Sequence, residues 1–483
     1  MNTEELNALF QAGDFDTLIG ELKNGRLTTS PDVGDYALFK KQLNPNLHDV
    51  SDPSVRRDKM VKTDDGHGNT RTEIVKVERI ALALQKLIVK RAVAFLFGNE
   101  PTLTADLQNE VLDTVNAVFR DVKINTINCK VAKYMMSNRE VAEYWYTTAD
   151  AETSNRYGFP SPIRIKCAIF APEKGDTLYP YFDENGDLIA FSREYSTTRG
   201  GDANRKTQTF FETYTATATY RWSLSEKTME LAEGYPLPNP IGKIPIVYGE
   251  QEKVEWADVQ TLIDRLEVLL SNFADTNDYH ASPKILVTGQ ILSWAKKGES
   301  GAVIEMADGG NAQYLSWSQA PEAVKLEIDT LLRMIYTISQ TPDISFENVK
   351  SLGGVSGVAL ELLFMDSHLK VQEKREIFDE YLQRRINIVK EYLAKMNGTN
   401  AQFVADCRNT IITAEIKPLT LSDKQTALNQ ITTAYNNDLI SPHTAITMTA
   451  QTLNTGANPD EEEELIAEKQ ETTNQTEMML GGM

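Results

Sequence analysis

The 483-residue sequence predicts an α+β protein of several parts, dominated by one very long helix. The first observation is a proline-free stretch, 357–397, in which apolar residues recur every three or four positions. The second is a pair of shorter helical patterns, 256–279 and 321–340, that flank a glycine-punctuated insert. The third is a series of short alternating runs within 139–248, which is typical of antiparallel strands. Because a chain of this length exceeds one ordinary core, we expect two or three domains.

The chain before this β-region is predicted to be mostly helical. Short amphipathic patterns occupy the first 25 residues, and a strong helical pattern runs from Glu78 to Phe97. Apolar residues nearly encircle this helix, so we expect it to be buried between other elements. Two further helical patterns follow, at 106–122 and 125–136.

The intervening segment, 41–72, is polar and turn-rich and is interpreted as an exposed arm. Its run from Asp64 to Asn69 contains acidic residues and a histidine, the residue types of a metal or acid–base site. Aspartate, glycine and asparagine are also typical of turns, and no second cluster in the sequence would complete a coordination sphere. A turn is therefore the favoured interpretation, and no metal site is predicted.

Within the β-region, Asp183-Glu-Asn-Gly186 is typical of a hairpin turn, and Phe210–Trp222 is interpreted as one continuous run. After the long helix we predict a strand and two short helices, at 410–417, 421–435 and 441–453. The last segment, 457–483, holds eight acidic residues against one lysine. Because these like charges repel one another, we predict a disordered, solvated tail.

Charge and composition exclude several classes of protein. A formal net charge of −20 argues against broad gripping of nucleic acid, because neutralising phosphates requires a basic face. No apolar run approaches the ~20 residues of a membrane span, and the first residues lack the pattern of a secretory signal. The three cysteines lie far apart and fit no zinc spacing, so they are interpreted as buried thiols in a reducing compartment. We expect synthesis in the cytoplasm and no contact with a membrane.

Motifs that carry catalytic chemistry are missing from the sequence. Gly353–Gly357 opens a helix, but the Gly-Lys-Ser/Thr of a P-loop does not follow. Such a loop can hold a phosphate on backbone N–H groups at a helix start, although a flexible connector is the favoured interpretation. The five histidines are scattered, and His368 is interpreted as a structural or surface residue. We therefore predict no enzymatic activity and no cofactor.

Several short segments occur in a specific order along the chain. They are Gly98-Asn-Glu-Pro101 after the first strong helix, Gly242–Tyr248, Trp256–Asp264, Ala281–Gly289, Ser356–Leu360, Leu439–Ala445 and the acidic terminal run. In this order they resemble the portal proteins of tailed bacteriophages, in the branch typical of long-tailed phages. The chain departs from the family pattern at Glu255-Trp256, where the family usually has a polar or small residue.

The resemblance implies a ring, usually of twelve subunits, at one capsid vertex, through which double-stranded DNA is packaged and later released. The implied partners are the terminase large subunit, the head–tail adaptor, and the major capsid and scaffolding proteins. The implied location is the virion, after assembly in the host cytoplasm. Two rival classes stay open: an oligomeric head, scaffold or adaptor protein without a DNA channel, and a phosphate-dependent enzyme that uses Gly353–Gly357.

The resemblance also divides the chain into named parts. They are a wing (1–250), a first stem helix (251–280), a clip (281–318), a second stem helix (319–340), a tunnel loop (341–356), the long helix (357–398), a return strand to the wing (399–419), a crown (420–456) and the acidic tail (457–483). Since the stem helices have apolar stripes and no partner sheet, we expect these stripes to pack against other copies in the ring.

Two sets of site residues are expected within this scheme. In the clip, a basic and aromatic group is expected to dock the motor and then the adaptor: Trp294, Lys296 and Lys297. A solvated loop is the alternative there. In the tunnel loop, the tip and its glycine pair are expected to face DNA: Glu347, Asn348, Lys350, Ser351, Gly353 and Gly354. Lys350 would then place a circle of positive charge in the channel, unless it only pairs with Glu347.

Overall fold

The structure is a computed structural model of the chain, and it confirms the α+β class, since helices and antiparallel strands occur in it together. It describes residues 3–27, 35–64, 70–199, 206–225, 228–281, 284–293, 305–307, 309–315, 320–343, 364–419, 424–453, 455–456 and 458–480. The chain forms two compact units. The first comprises 1–341 and 367–418, and the second comprises 342–366 and 419–483.

The first unit begins with three helices, a hairpin and a fourth helix. They are α1 (Thr3–Ala12), α2 (Phe15–Leu27), α3 (Asp35–Leu43), β1 (Lys59–Asp64), β2 (Thr70–Val75) and α4 (Leu84–Phe97). Strands β1 and β2 pair antiparallel with Asp64 opposite Thr70. The arm expected from the sequence therefore contains a pair of antiparallel strands, and residues 65–69, which hold most of the expected turn, lie outside the described ranges.

Helix α4 begins six residues later than the sequence pattern predicts, so the prediction of a helix from Glu78 was wrong. The physical reason is that the backbone N–H groups before Leu84 bond to side chains of a later helix. Three N–H groups, two residues apart, donate to three side chains that are four residues apart. The pairs are Glu78 with Asp275 at 2.7 Å, Ile80 with Ser271 at 2.9 Å, and Leu82 with Glu267 at 2.7 Å. We call these three bonds the side-chain ladder.

A short strand and two helices follow: β3 (Thr102–Ala105), α5 (Val111–Val122) and α6 (Ile124–Asn138). The helix predicted from Asp106 begins only at Val111, because Asp106 closes a strand pair instead. Its N–H donates to the carbonyl of Ile411, and its carboxylate accepts from the N–H of Ile411.

The predicted antiparallel β-region is confirmed as two sheets. Its strands are β4 (Glu140–Ser154), β5 (Ser161–Phe170), β6 (Thr177–Phe182), β7 (Leu188–Arg199), β8 (Lys206–Tyr214), β9 (Ala218–Ser225), β10 (Thr228–Leu231), β11 (Leu237–Pro238) and β12 (Ile246–Glu250). One sheet has the order β10-β9-β8-β7-β6, with β11 paired to β9, and the other has the order β12-β4-β5. The predicted hairpin turn joins β6 to β7, with Gly186 at a positive φ of 85°.

The run Phe210–Trp222 is two strands rather than one, because a turn at Thr215–Thr217 separates β8 from β9. The Thr215 hydroxyl accepts the N–H groups of Thr217 and Ala218, at 3.3 and 3.0 Å. Threonine side chains favour turns in this way. Repeated threonines, which are also frequent in strands, concealed the break in the sequence.

Apolar side chains from both sheets form one core, with Phe170, Phe191 and Tyr248 among its buried members. On the large sheet, a second cluster packs Leu18 and Leu22 of α2 against Trp222. The β-region and the N-terminal helices are thus held together by aromatic and aliphatic packing, which is the main favourable term in folding.

Two helices flank the insert, as predicted. Helix α7 (Gln260–Ala281) follows a 3₁₀ turn at Ala257–Val259, and after the insert comes α8 (Ala320–Ile338). The described part of the insert pairs β13 (Lys284–Thr288) with β16 (Asn311–Leu315), and β14 (Ile291–Ser293) with β15 (Glu305–Met306).

The long helix is confirmed over 32 residues as α9 (Met365–Met396). The first residues predicted for it, 357–363, lie outside the described ranges. Then come α10 (Ala401–Asn409) and β17 (Ile412–Glu415), and β17 pairs antiparallel with β3 of the same unit.

The described part of the second unit beyond 419 consists of α11 (Lys424–Asn436), α12 (Pro442–Leu453) and α13 (Pro459–Leu480). Ser441 caps α12, since its hydroxyl accepts the N–H of Thr444 at 3.2 Å. The prediction of a disordered acidic tail was wrong, because α13 is a helix of 22 residues. Its first turn holds Asp460, Glu461 and Glu462, whose negative charges stabilise the helix by interacting with the positive end of its dipole. Proline is well tolerated as the first residue of a helix.

Candidate functional site: the helix pair and the long helix

The site residues expected from the sequence all lie outside the described residues. This holds for Trp294, Lys296 and Lys297 in the insert, and for Glu347, Asn348, Lys350, Ser351, Gly353 and Gly354 in the loop. The structure describes the elements that carry these two segments, namely α7, α8 and the long helix α9.

Helices α7 and α8 pack against each other within one subunit. Ile263 and Leu266 of α7 are fully buried, and so is Ile335 of α8, with Leu331 at 9% exposure. On the surface of the pair, Arg265 donates two hydrogen bonds to Glu327, at 3.0 and 2.7 Å. The expectation that the main apolar stripes pack against other copies was therefore wrong, since each stripe covers its partner helix or its own unit.

A second apolar stripe of α8 stays exposed on the single chain. It comprises Leu326, Met334 and Ile338, which are 65%, 47% and 48% exposed. We call it the α8 stripe. At about 3.6 residues per turn these side chains spread over about 120° of the helix surface, from Leu326 through Met334 to Ile338, which borders the buried Leu331. A group of large apolar side chains exposed on one helix is typical of a surface that another protein covers.

Besides the side-chain ladder, further bonds connect polar side chains of α7 to the N-terminal arm. Arg56 donates to Asn272 and to Asp275, both at 2.8 Å. His48 Nδ1 lies 2.8 Å from Glu267 Oε1, and both side chains are almost fully buried. His48, Arg56 and the ladder residues thus hold α7 between Glu267 and Asp275 through side-chain bonds.

His48 is held in its charged form by this arrangement. Its Nε2 lies 2.7 Å from the Gln42 carbonyl, which can only accept, and its Nδ1 faces a carboxylate. Both ring nitrogens must therefore donate, as only the imidazolium can. Burial by itself would lower the pKa of His48, but the hydrogen bond and charge of Glu267, with smaller contributions from the Gln42 carbonyl and Asp264, hold that pKa above its usual value.

The stability of the first unit should consequently fall as pH rises through the raised pKa of His48. Protonation of folded His48 contributes fully below about pH 6.5, the pKa of an unperturbed histidine, and is lost above the folded pKa. We expect the difference in melting temperature between the natural chain and His48→Gln to shrink from about pH 6 to pH 9. A difference that is constant over this range would contradict the assignment of a charged His48.

Glu255 joins the ends of three elements. It is 4% exposed and pairs with Lys370 Nζ at 2.7 Å and Lys374 Nζ at 3.0 Å, both on the long helix. Burial would raise the pKa of Glu255, but these two ammonium groups hold it below its usual range. Lys370 also donates to the carbonyl of Ser339 at 2.6 Å, just after α8. Lys370 therefore connects the end of α8 to the long helix, and the buried Glu255 carboxylate pairs with this same lysine.

Glu255-Trp256, where the chain departs from the pattern of the family it resembles, has a structural role at both positions. The Trp256 ring is fully buried, and its indole N–H donates to Gln42 Oε1 at 2.9 Å. In the sequence, this pair was visible only as a charged residue and a tryptophan before a helix. The partner of Glu255 lies 115 positions away and the partner of Trp256 lies 214 positions away.

A second buried ion pair fastens the long helix to the β-region. Arg385 donates to both carboxylate oxygens of Glu143 on β4, at 2.9 and 2.5 Å, and to Asn128 on α6 at 2.5 Å. The Trp145 indole N–H donates to the same carboxylate at 3.0 Å. Arg385 and Glu143 are 1% and 0% exposed. Such a bidentate pair fixes both position and rotation of the helix.

Within the described residues, no helix combines the length and the apolar character that crossing a membrane requires. The same residues contain no group of three or more histidine, cysteine, aspartate or glutamate side chains placed to hold a metal ion.

The family model described as "Phage portal protein, SPP1 Gp6-like" matches residues 56–476. No curated protein matches the chain. Among solved structures, a chain of the "Virion of native gene transfer agent (GTA) particle" is similar at 9% identity with a TM-score of 0.37, covering 88% of this chain and 98% of that one. A chain of the "Neck of empty GTA particle computed with C6 symmetry" is similar at 10% identity with a TM-score of 0.33, covering 75% and 88%.

Proposed function

Because the chain belongs to the phage portal protein family, we propose that it assembles into a ring around a channel for double-stranded DNA. The ring, of twelve subunits, would occupy one vertex of the capsid, where it serves genome packaging and later release. In this scheme α7 and α8 are the stem helices, the segment 281–318 is the clip, and 341–356 is the tunnel loop. The portal family is structural rather than enzymatic, so the energy for translocation comes from a separate motor.

The α8 stripe is the single observation that best supports a ring. Helix α8 already buries Leu331 and Ile335 against its own unit, while Leu326, Met334 and Ile338 remain exposed. A neighbouring copy that covers this stripe leaves its own stripe open for the next copy. Such head-to-tail contacts end without an exposed surface only when the ring closes.

The charge of the chain supports passage of DNA without retention. At a net charge of −20, most of the ring surface repels phosphates. Positive charge in the channel is then local, and in our proposal it comes from one Lys350 per subunit. The runner-up function is an oligomeric head or adaptor protein without a DNA channel.

Electron microscopy of the purified full-length chain separates these two functions. We expect closed rings with a central hole, and class averages with rotational symmetry give the subunit number. Compact particles or closed discs without a hole would contradict the proposal and favour the runner-up.

We predict that Lys350→Glu leaves ring assembly intact but reduces the DNA packaged per particle. The reversal replaces a circle of positive charge by negative charge, which repels phosphates at the narrowest point, and the effect should weaken with added salt. Gly353→Pro and Gly354→Pro together should have the same outcome by stiffening the loop. Lys62→Glu, a charge reversal at an exposed position of β1, is the matched control. Full-length genomes at normal yield in both loop variants would show that the loop does not meet DNA.

We also predict that replacing Trp294, Lys296 and Lys297 with alanine weakens docking of the terminase large subunit and the head–tail adaptor. Aromatic and cationic side chains dominate many protein interfaces, so their joint loss should lower the retained partner several-fold. Ring mass should not change. The control carries Lys395→Ala and Lys417→Ala, two exposed lysines outside the clip. Unchanged pull-down of both partners by the triple variant would contradict docking at these residues.

A further inference from the structure

Helices α4 and α6 border a groove of about 690 Å³ on the first unit. Its floor is apolar and is formed by Leu43, Val89, Val93 and Cys129. Its rim carries two pairs of lysines, one pair on each helix: Lys86 with Lys90, and Lys130 with Lys133. We call it the lysine groove.

Most of the positive charge on this rim has no neutralising partner. Lys133 Nζ lies 3.2 Å from Glu173, which is the one carboxylate among the described residues that line the groove. For Lys86, Lys90 and Lys130, the described part of the chain provides no ion pair. Exposed lysines around an apolar floor form a site for a partner that combines carboxylates with an apolar side chain.

The chain itself contains a helix with this chemistry. The run Asp460–Glu464, its longest run of like charge, lies at the start of α13. Glu463 and Ile466 line a cavity that α13 shares with α11 and α12, so this side of α13 faces the second unit. The other side presents Glu461, Glu464 and Leu465, all exposed, with Leu465 at 59%.

We propose that the lysine groove receives helix α13 of a second copy of the chain. Leu465 contacts the apolar floor, while Glu461 and Glu464 pair with lysines of the rim. Residues three or four apart on a helix lie about 5–6 Å from each other, so the spacing of the two glutamates matches that of each lysine pair. The inference rests on the proposed ring, which holds a neighbouring copy beside each subunit.

Zero-length crosslinking of mixed rings tests the proposal. Rings are assembled from equal amounts of unlabelled and ¹⁵N-labelled full-length chain and treated with a carbodiimide, which condenses a lysine amine with a carboxylate, with loss of water. We expect amide bonds between lysines of the groove and Glu461 or Glu464. Peptide pairs with one labelled and one unlabelled member identify the bond as one between two copies.

Charge exchange gives an independent readout. Lys86→Glu with Lys90→Glu should lower crosslinking of α13 to Lys130 and Lys133 about fivefold or more, because each lost ion pair weakens the contact. Adding Glu461→Lys and Glu464→Lys to the same chain should restore the contact, now between lysines at 461 and 464 and glutamates at 86 and 90. Lys62→Glu with Lys395→Glu is the matched control and should leave the crosslinks unchanged.

Three outcomes would overturn the proposal. Crosslinks only within one isotopic form would place α13 in the groove of its own chain. Intact rings without crosslinks to the groove would remove α13 as the occupant while leaving the proposed function untouched. If the lysines of such rings become open to acetylation only after nuclease treatment, the groove would be assigned to nucleic acid. Failure to form rings at all would overturn both the inference and the proposed function.

Discussion

Replacing Arg385 with methionine should lower the free energy of unfolding of the first unit by about 3–5 kcal/mol. The substitution removes the guanidinium that faces Glu143, and the carboxylate then stays buried at 0% exposure without its charge partner. Asn128 loses a hydrogen bond at the same time. Chemical denaturation followed by tryptophan fluorescence measures the loss, since Trp145 belongs to the same network.

Arg384 is the matched control, because it is the next residue and its ion pair with Glu380 is exposed on the helix surface. Arg384→Met should change stability by less than about 0.5 kcal/mol. Glu143→Leu combined with Arg385→Met should recover much of the loss, because no unpaired charge remains buried. If the double variant is as unstable as Arg385→Met alone, an uncompensated carboxylate is not the cause.

Introducing aspartate into the α8 stripe should abolish rings without unfolding the subunit. Leu326 and Met334 are exposed on the single chain, so Leu326→Asp and Met334→Asp leave its core unchanged. In the ring, each aspartate would lie in a desolvated contact, at a cost of roughly 2–4 kcal/mol per subunit contact. That cost corresponds to a contact about thirty to a thousand times weaker. Light scattering measures the mass, and circular dichroism measures the folded state.

Two comparisons sharpen this test. Lys325→Asp places the same residue on an exposed part of α8 outside the stripe and should leave ring mass unchanged. Leu331→Asp and Ile386→Asp alter side chains that are buried inside the subunit, so they should destabilise folding itself. Rings of normal mass from the α8 stripe variants would exclude this stripe as the contact between subunits.

The sequence predicted the large elements correctly because their patterns are long. The long helix, the helices on both sides of the insert and the antiparallel β-region each repeat one period over many residues. Errors occurred where a local pattern was ambiguous. Ile80, Leu82 and Leu84 alternate by two, as in an extended chain, and this signal was outweighed by the helical pattern that follows.

The buried charges of the long helix could not be found from its sequence. Lys370, Lys374 and Arg385 have the composition of a solvated helix face, and charged residues are seldom buried without partners. Their partners lie far away in the chain, with Glu143 separated from Arg385 by 242 positions. Reasoning from periodicity alone has no access to such pairs, although the fold uses these charged side chains to attach the helix.

The side-chain ladder also fixes the position of α7 along its own axis. Two residues of extended chain advance about 6.7 Å, whereas four residues of helix advance about 6.0 Å. The two spacings agree closely enough for three consecutive bonds, and a longer series of such bonds would lose its register. A shift by one residue would turn all three N–H groups of residues 78, 80 and 82 away from Asp275, Ser271 and Glu267 together. A pull along α7 therefore strains the three bonds together, and they pass part of the load into the N-terminal part of the subunit.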